Sequence, residues 1–365
     1  MIKKLQSQIT AFWSASRQNK LIALTAAAAV IVVGSVLFLV NASSFFAATE
    51  PDGGTLTANA KLISDGAASG GKAIQFTTPT PPPPTPPPSG GGSCALPKYP
   101  TPACTGVPAG TSFSNTVNGT YTVTTAGQVI DGWYIKGDLH ILANNVIVKN
   151  SQIDGTVNNQ GTGENYYSFT ISDSTVGPAT GCVGSPGVGE SKYTATRIYV
   201  RNHDDGFRLS GQGSGTVQDS YFHACWLPPA QAPPDGSHSD GVQAVCGGNA
   251  CPGFNILHNT LDLKDVPATF PLNLTDTVLS NVVVKDNLLL GGNNYIIDAW
   301  WHSGANWIFY NNRLVQGTWG SDTRLIAAVT TEGTCSHQDW QGNTVVTIDS
   351  NYNVTSTTQS VPCID

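Results

Sequence analysis

The sequence predicts an all-β solenoid, a right-handed parallel β-helix, preceded by an N-terminal apolar helix and a proline-rich linker. Three observations carry that prediction. A short phrase recurs from Ser93 almost to the C-terminus at intervals of tens of residues. No copy contains an amphipathic run long enough for a helix, and short β-branched stretches are broken by Gly, Asn and Asp turns. The composition agrees: 39 Gly, 23 Pro, a single Met and only 11% charged residues in 365, which is a strand-and-turn balance.

Residues 1–20 are polar and basic, with Lys3, Lys4, Arg17, Lys20 and no acid. Residues 21–40 (LIALTAAAAVIVVGSVLFLV) are apolar and uncharged. As a helix, twenty such residues span about 30 Å, the hydrocarbon thickness of a bilayer. The basic flank would stay cytoplasmic. The segment reads as a retained signal-anchor or as a signal peptide cleaved near Val40-Asn41-Ala42, and either sends the rest of the chain out of the cytoplasm. The expected location is therefore the cell surface, or the medium if the segment is cut. Residues 41–78 form a juxtamembrane stretch. Within it, Glu50-Pro51-Asp52-Gly53-Gly54 and Ala68–Phe76 resemble the opening and closing phrases of a family of β-sandwich carbohydrate-binding modules. Residues 79–92 (PTPPPPTPPPSGGG) read as a linker, extended polyproline II followed by a flexible glycine joint.

Residues 93–365 carry the repeat. Its core is apolar-x-apolar-x-(Asn/Asp/His)-polar-x-apolar. It occurs at Val146–Ile153, Phe169–Val176, Ile198–Asp205, Val217–Phe222, Phe254–Leu261, Val282–Leu289 and Ile308–Leu314. The polar anchors are Asn150, Asp173, Asn202, Asp219, His258, Asp286 and Asn311, on average about 27 residues apart. A unit of that size cannot bury its apolar side alone, whereas stacked units share a continuous core. Parallel strands joined by crossovers wind right-handed. Recurrent Asn and Asp at one coil position predict an internal hydrogen-bonded ladder through Asn150, Asp173, Asp219 and Asn311. The longest interval holds a proline-stiffened loop running from Cys225 to Gly236.

One phrase occurs twice with its side chains matched. His203-Asp204-Asp205-Gly206-Phe207-Arg208-Leu209 is followed 35 residues later by His238-Ser239-Asp240-Gly241-Val242-Gln243-Ala244. As neighbouring rungs, the two phrases would bring Asp205 and Asp240 to roughly 5 Å from one another. Alternation along each strand places Phe207, Leu209, Val242 and Ala244 inward and Arg208 and Gln243 outward. Leu272 and Leu274 extend the inner set, as do Tyr295, Ile297 and Ala299. Asn273 extends the outer row, followed by Asp298 with Ile296 and Trp300 on its face.

Charge narrows the partners. The net charge is −7, and after residue 20 there are 13 basic against 24 acidic residues. A nucleic-acid partner is excluded, because phosphate binding needs a basic stripe. The eight cysteines suggest disulfides in an exported chain. Pairs 94–104 and 246–251 would close local loops, and 182–225 and 335–363 longer ones. The rival is a zinc site from Cys225, Cys246, Cys251 and His223 or His238.

The phrases Asn145–Gly155, Asn202–Leu209, His238–Gln243 and Asn281–Gly292 resemble the pectin-lyase-like superfamily of right-handed parallel β-helices. That resemblance implies a polysaccharide or cell-wall glycan as partner and lyase or glycosidase chemistry. Asn202-His203-Asp204-Asp205 echoes the polygalacturonase-like hydrolases, but their Gly-His-Gly and Arg-Ile-Lys phrases are absent.

The chemistry expected of these residues is glycan cleavage. Two carboxyl groups must flank a glycosidic bond, and Asp205 and Asp240 are the pair. Two close carboxylates do not ionise independently, which leaves one able to act as acid. For lyase chemistry, Arg208, His203, His238 or His302 would be the base, and Asp204, Asp205 and Asp240 would hold Ca²⁺ as cofactor. Gln243, Asn273, Asp298, Trp300, Trp301 and His302 would bind substrate, with Trp226 as a further sugar platform. A non-catalytic glycan-binding surface protein is the alternative. Asp-Gly before a strand is also ordinary turn chemistry.

Overall fold

The structure, a computed structural model, describes residues 60–64, 72–76, 94–163, 165–211, 213–232, 234, 236–245, 253–267, 269–274, 279–292, 296–300, 306–318, 329–330 and 338–363. The chain divides into two units, Met1–Thr85 and Pro86–Asp365. In the first, Ala60–Ser64 pairs antiparallel with Lys72–Phe76. The apolar 21–40 segment and the 79–92 linker lie outside the described residues. No described helix is long and apolar enough to cross a membrane.

The second unit is all-β. Its strands form three long sheets, two of nine strands and one of eleven. In all three, each parallel strand pairs with the strands three before and three after it, an arrangement compatible with a parallel β-helix. Each turn of the chain adds one rung to each sheet. We call them the first, second and third sheets, with rungs such as Tyr221–Ala224, Asp240–Val245 and Phe254–Leu257 in that chain order. Among the described residues of this unit, the two strands Thr344–Ile348 and Val354–Ser360 pair antiparallel, and an isolated antiparallel bridge joins Gln160 and Tyr166.

Period-two alternation fixes which side chains go inside. Ile135 and Ile153 from the first sheet, Leu139 and Val157 from the second, and Val148 and Ile171 from the third belong to one buried cluster. Full burial of each contributes about 1.5–3 kcal/mol. A smaller cluster of Tyr99, Leu288, Leu290, Val315 and Val346 lies on the other face of the first sheet, under the N-terminal arm and the C-terminal hairpin.

The corner between the third and first sheets turns through one left-handed residue. Asn150, Asp173, Asp219, His258, Asp286 and Asn311 all take φ between 49° and 58° there. Asn and Asp tolerate this conformation better than most residues. The anchors of the repeat, expected to form the ladder, mark this corner in all but one coil. There Arg197 (φ 54°) makes the turn between Tyr193–Thr196 and Tyr199–His203. Asn202, the expected anchor, lies inside the latter strand.

The ladder is real but stands one residue further on than expected. Ser151, Ser174, Ser220, Asn259, Asn287, Asn312 and Asn343 are buried. Asn259 N donates to Asn287 Oδ1, Asn287 N to Asn312 Oδ1 and Asn312 N to Asn343 Oδ1, at 2.9–3.1 Å. Each amide Nδ2 also reaches the next Oδ1 and a strand carbonyl. The corner residues themselves pair at the surface, as Arg197 does with Asp173 at 2.6 Å.

Two disulfides are described, Cys94–Cys104 and Cys182–Cys225. Cys363 is also disulfide-bonded, and Cys246, Cys251 and Cys335 lie outside the described residues. With Cys225 oxidised, the proposed zinc ligand set is lost. The long insertion leaves the coil at Cys225 and returns at Asp240. It is closed by Leu227 N to Ser237 Oγ and by Ser237 N to Leu227 O.

Candidate functional site

The site is built on the outer face of the second sheet. Phe207 pairs with Val242, Arg208 with Gln243 and Leu209 with Ala244. Gln243 pairs with Asn273, and Asn273 with Asp298. Arg208, Gln243, Asn273 and Asp298 therefore form one row across four rungs, over an inner row of Phe207, Val242, Leu272 and Ile297 that is fully buried. Ile296, expected on the outer side, is instead buried in the core cluster. Tyr295 lies outside the described residues.

The Asp-Gly of each twin phrase begins the rung. Each aspartate caps the backbone of the next coil: Asp240 N donates to Asp205 Oδ1 at 2.9 Å and Phe270 N to Asp240 Oδ1 at 3.1 Å. Glycine follows because the coils touch there. A Cβ on Gly206 would lie 2.4 Å from Gly241 O, and one on Gly241 would lie 2.3 Å from Pro271 O. The stacking geometry alone thus accounts for the repetition of Asp-Gly.

It does not account for the second carboxylate oxygens. Asp205 Oδ2 accepts from Arg208 Nη2 at 3.2 Å. Asp240 Oδ2 accepts from Gln243 Nε2 at 3.2 Å and from Asn273 Nδ2 at 2.9 Å. These oxygens are turned toward the outer row. Burial, reinforced by the Asp204 charge, pushes Asp205 up to about 7. Burial and the Asp205 charge push Asp240 up to about 8. Asp204 is also raised by burial. Near neutral pH both groups are therefore biased toward their protonated forms.

Glu190 joins this cluster without a signal in the repeat. It is buried, accepts from Ser210 Oγ at 2.7 Å and stands 4.0 Å from Arg208 Nη1. Arg208 is thus held between Glu190 and Asp205. The outer row also extends further toward the N-terminus than the twin phrases suggest. Thr122 pairs with His140, His140 with Asn158 and Asn158 with Gly189. Leu139-His140-Ile141 carries the same apolar-polar-apolar alternation as Phe207-Arg208-Leu209, a signal short enough to pass unnoticed.

The two histidines of the twin phrases are not equivalent. His203 is fully buried, its Nδ1 is 2.8 Å from Ser185 O, and burial lowers its pKa. It packs the corner, out of reach of solvent. His238 is exposed on the returning loop. Trp226 packs against Gly236 within the same loop. Trp300 ends the strand Ile297–Trp300, and its side chain lies outside the described residues, as do Trp301 and His302.

The calcium expectation finds no donor set. No group of three or more His, Cys, Asp or Glu that could hold a metal ion occurs among the described residues. Asp204 Oδ1 turns back to Asp205 N at 2.8 Å, and Asp205 and Asp240 each commit one oxygen to the next coil.

Comparison of the chain with protein-family models, curated proteins and solved structures returns no match.

Proposed function

We propose that this chain is an exported, right-handed parallel β-helix protein of pectin-lyase-like architecture that binds polysaccharide along the second sheet and cleaves it. The observation that carries this reading is the stack of Asp205 on Asp240. They are two buried carboxyls with raised pKa on adjacent rungs, and each turns one oxygen to a row of polar side chains. Glycoside hydrolysis needs one carboxylic acid and one carboxylate across the bond. Asp240, the higher of the two, is the acid, and Asp205, held by Arg208, is the base or nucleophile. Hydrolysis is favoured over elimination because Arg208 is neutralised by two carboxylates and so makes a poor proton acceptor or uronate clamp. The apolar 21–40 segment tethers the protein to the membrane, or is removed on secretion. The disulfides suit that compartment.

A second reading, a non-catalytic glycan binder, draws on the capping duty of Asp205 and Asp240, which would preserve both residues without chemistry. A panel of acidic and neutral polysaccharides distinguishes the two. New reducing ends support hydrolysis, and an ultraviolet-absorbing unsaturated product supports elimination. Binding without turnover, unchanged by Asp205→Asn and Asp240→Asn, assigns the face to recognition alone.

A further inference from the structure

Two polar atoms at the centre of the outer row have no partner. Arg208 Nε, a donor, and Gln243 Oε1, an acceptor, are both buried and unbonded. They belong to residues that face each other across adjacent rungs. Buried groups of this kind are rare, and each costs free energy while unsatisfied. A group that both accepts and donates matches the pair. A hydroxyl does so, accepting from Nε and donating to Oε1. A carboxylate or sulfate can serve the arginine but has no proton to give to Gln243.

Charge leads the same way. Arg208 is the only Lys or Arg in this row among the described residues, and its guanidinium already faces Asp205 Oδ2 at 3.2 Å and Glu190 Oε1 at 4.0 Å, while Asp204, Asp240 and Asp298 add buried acidic groups along the same stretch. An anionic chain would meet repulsion along this stretch. The rest of the row suits hydroxyls: Gln243, Asn273 and Asn158 offer amides, Thr122 a hydroxyl and His140 an imidazole. From Thr122 to Asp298 the row crosses eight rungs, or about 34 Å at the usual strand spacing.

We infer that the ligand of this face is an uncharged, linear, polyhydroxylated chain, a neutral polysaccharide and not a polyuronate, and that Asn158, His140 and Thr122 form its remote subsites. The inference rests on the proposed glycan site and specifies its substrate class. Binding of cellohexaose, xylohexaose, mannohexaose and hexagalacturonate to the purified, secreted form of the chain tests it. At least one neutral hexasaccharide binds about tenfold or more tightly than hexagalacturonate, with little dependence on salt. Gln243→Leu weakens that binding about tenfold, and Gln243→Met, which keeps the length without the acceptor, does so too. His140→Ala weakens the hexasaccharide and spares the corresponding trisaccharide. Thermal melts of the three variants establish that they are folded. Tighter binding of hexagalacturonate, weakened by salt, overturns the inference and leaves the glycan site standing. Failure of all four sugars to bind overturns both.

Discussion

Two corners of the same coil solve the same problem with different residues. Between the third and first sheets, Asn259, Asn287, Asn312 and Asn343 cap the backbone of the next coil with neutral amides, and every amide group is used. Between the first and second sheets, Asp205 and Asp240 cap the next coil with one oxygen each. An amide oxygen would have capped as well and would have avoided burying charge. The carboxylates bring instead a second oxygen aimed at the outer row, and burial raises both pKa values, helped by the Asp204 charge at Asp205 and by the Asp205 charge at Asp240. The amide corner is spent on stability. The carboxylate corner gives up stability for a titratable pair, the usual sign of a working site.

Removing a rung of the amide corner should have the largest effect on folding. Asn287→Ala breaks bonds in both directions and strands buried backbone groups, so about 3 kcal/mol is lost in a denaturant melt. Glycan affinity of the surviving folded protein stays unchanged. If affinity falls with stability, the two corners are not separable.

The carboxylate corner should respond in the opposite sense. Asp205 and Asp240 have folded pKa values above the unfolded carboxylate value, so the native state binds protons more tightly than the unfolded chain. Their contribution therefore declines as pH rises from about 4, the unfolded value, to about 8. The melting temperature should drop across that window. Asp205→Asn plus Asp240→Asn, which retains both capping oxygens, should flatten the drop and melt higher at the alkaline end. A wild-type profile as flat as that of the double variant would show that neither pKa is raised in the folded chain.

Smaller effects belong to the left-handed corner residues. Asn311→Val forces a β-branched residue to φ 56° and should cost about 1–2 kcal/mol in a urea titration. Asn311→Gly should be near neutral. Asp173→Asn removes the partly exposed ion pair with Arg197 and should cost about 0.5 kcal/mol. Salt should erase most of that difference.

The coil was legible in the sequence because alternation and left-handed turns leave regular marks. The anchor series missed only Arg197, since a basic residue in the left-handed corner breaks the Asn/Asp pattern. The ladder was misplaced by one residue for a simple reason. Asn150-Ser151, Asp173-Ser174, Asp219-Ser220, Asp286-Asn287 and Asn311-Asn312 each put two polar residues side by side, and composition does not say which one turns inward. The row Arg208, Gln243, Asn273 and Asp298 was readable by parity, and its register is as expected. Glu190 was not, because its approach to Arg208 depends on the bend after Gly189. The matched histidines misled for a related reason. The twin phrases share a register only from Asp205 and Asp240 onward, where the strands pair, and His203 and His238 precede that point.

The most direct trial is the release of reducing ends from a neutral polysaccharide by the wild-type chain and by Asp205→Asn and Asp240→Asn singly, with binding measured alongside. Either substitution should lower release by about a hundredfold or more while the glycan still binds. Release that survives both substitutions, or binding by the wild type with no release at all, would contradict the assignment of Asp205 and Asp240 as an acid–base pair.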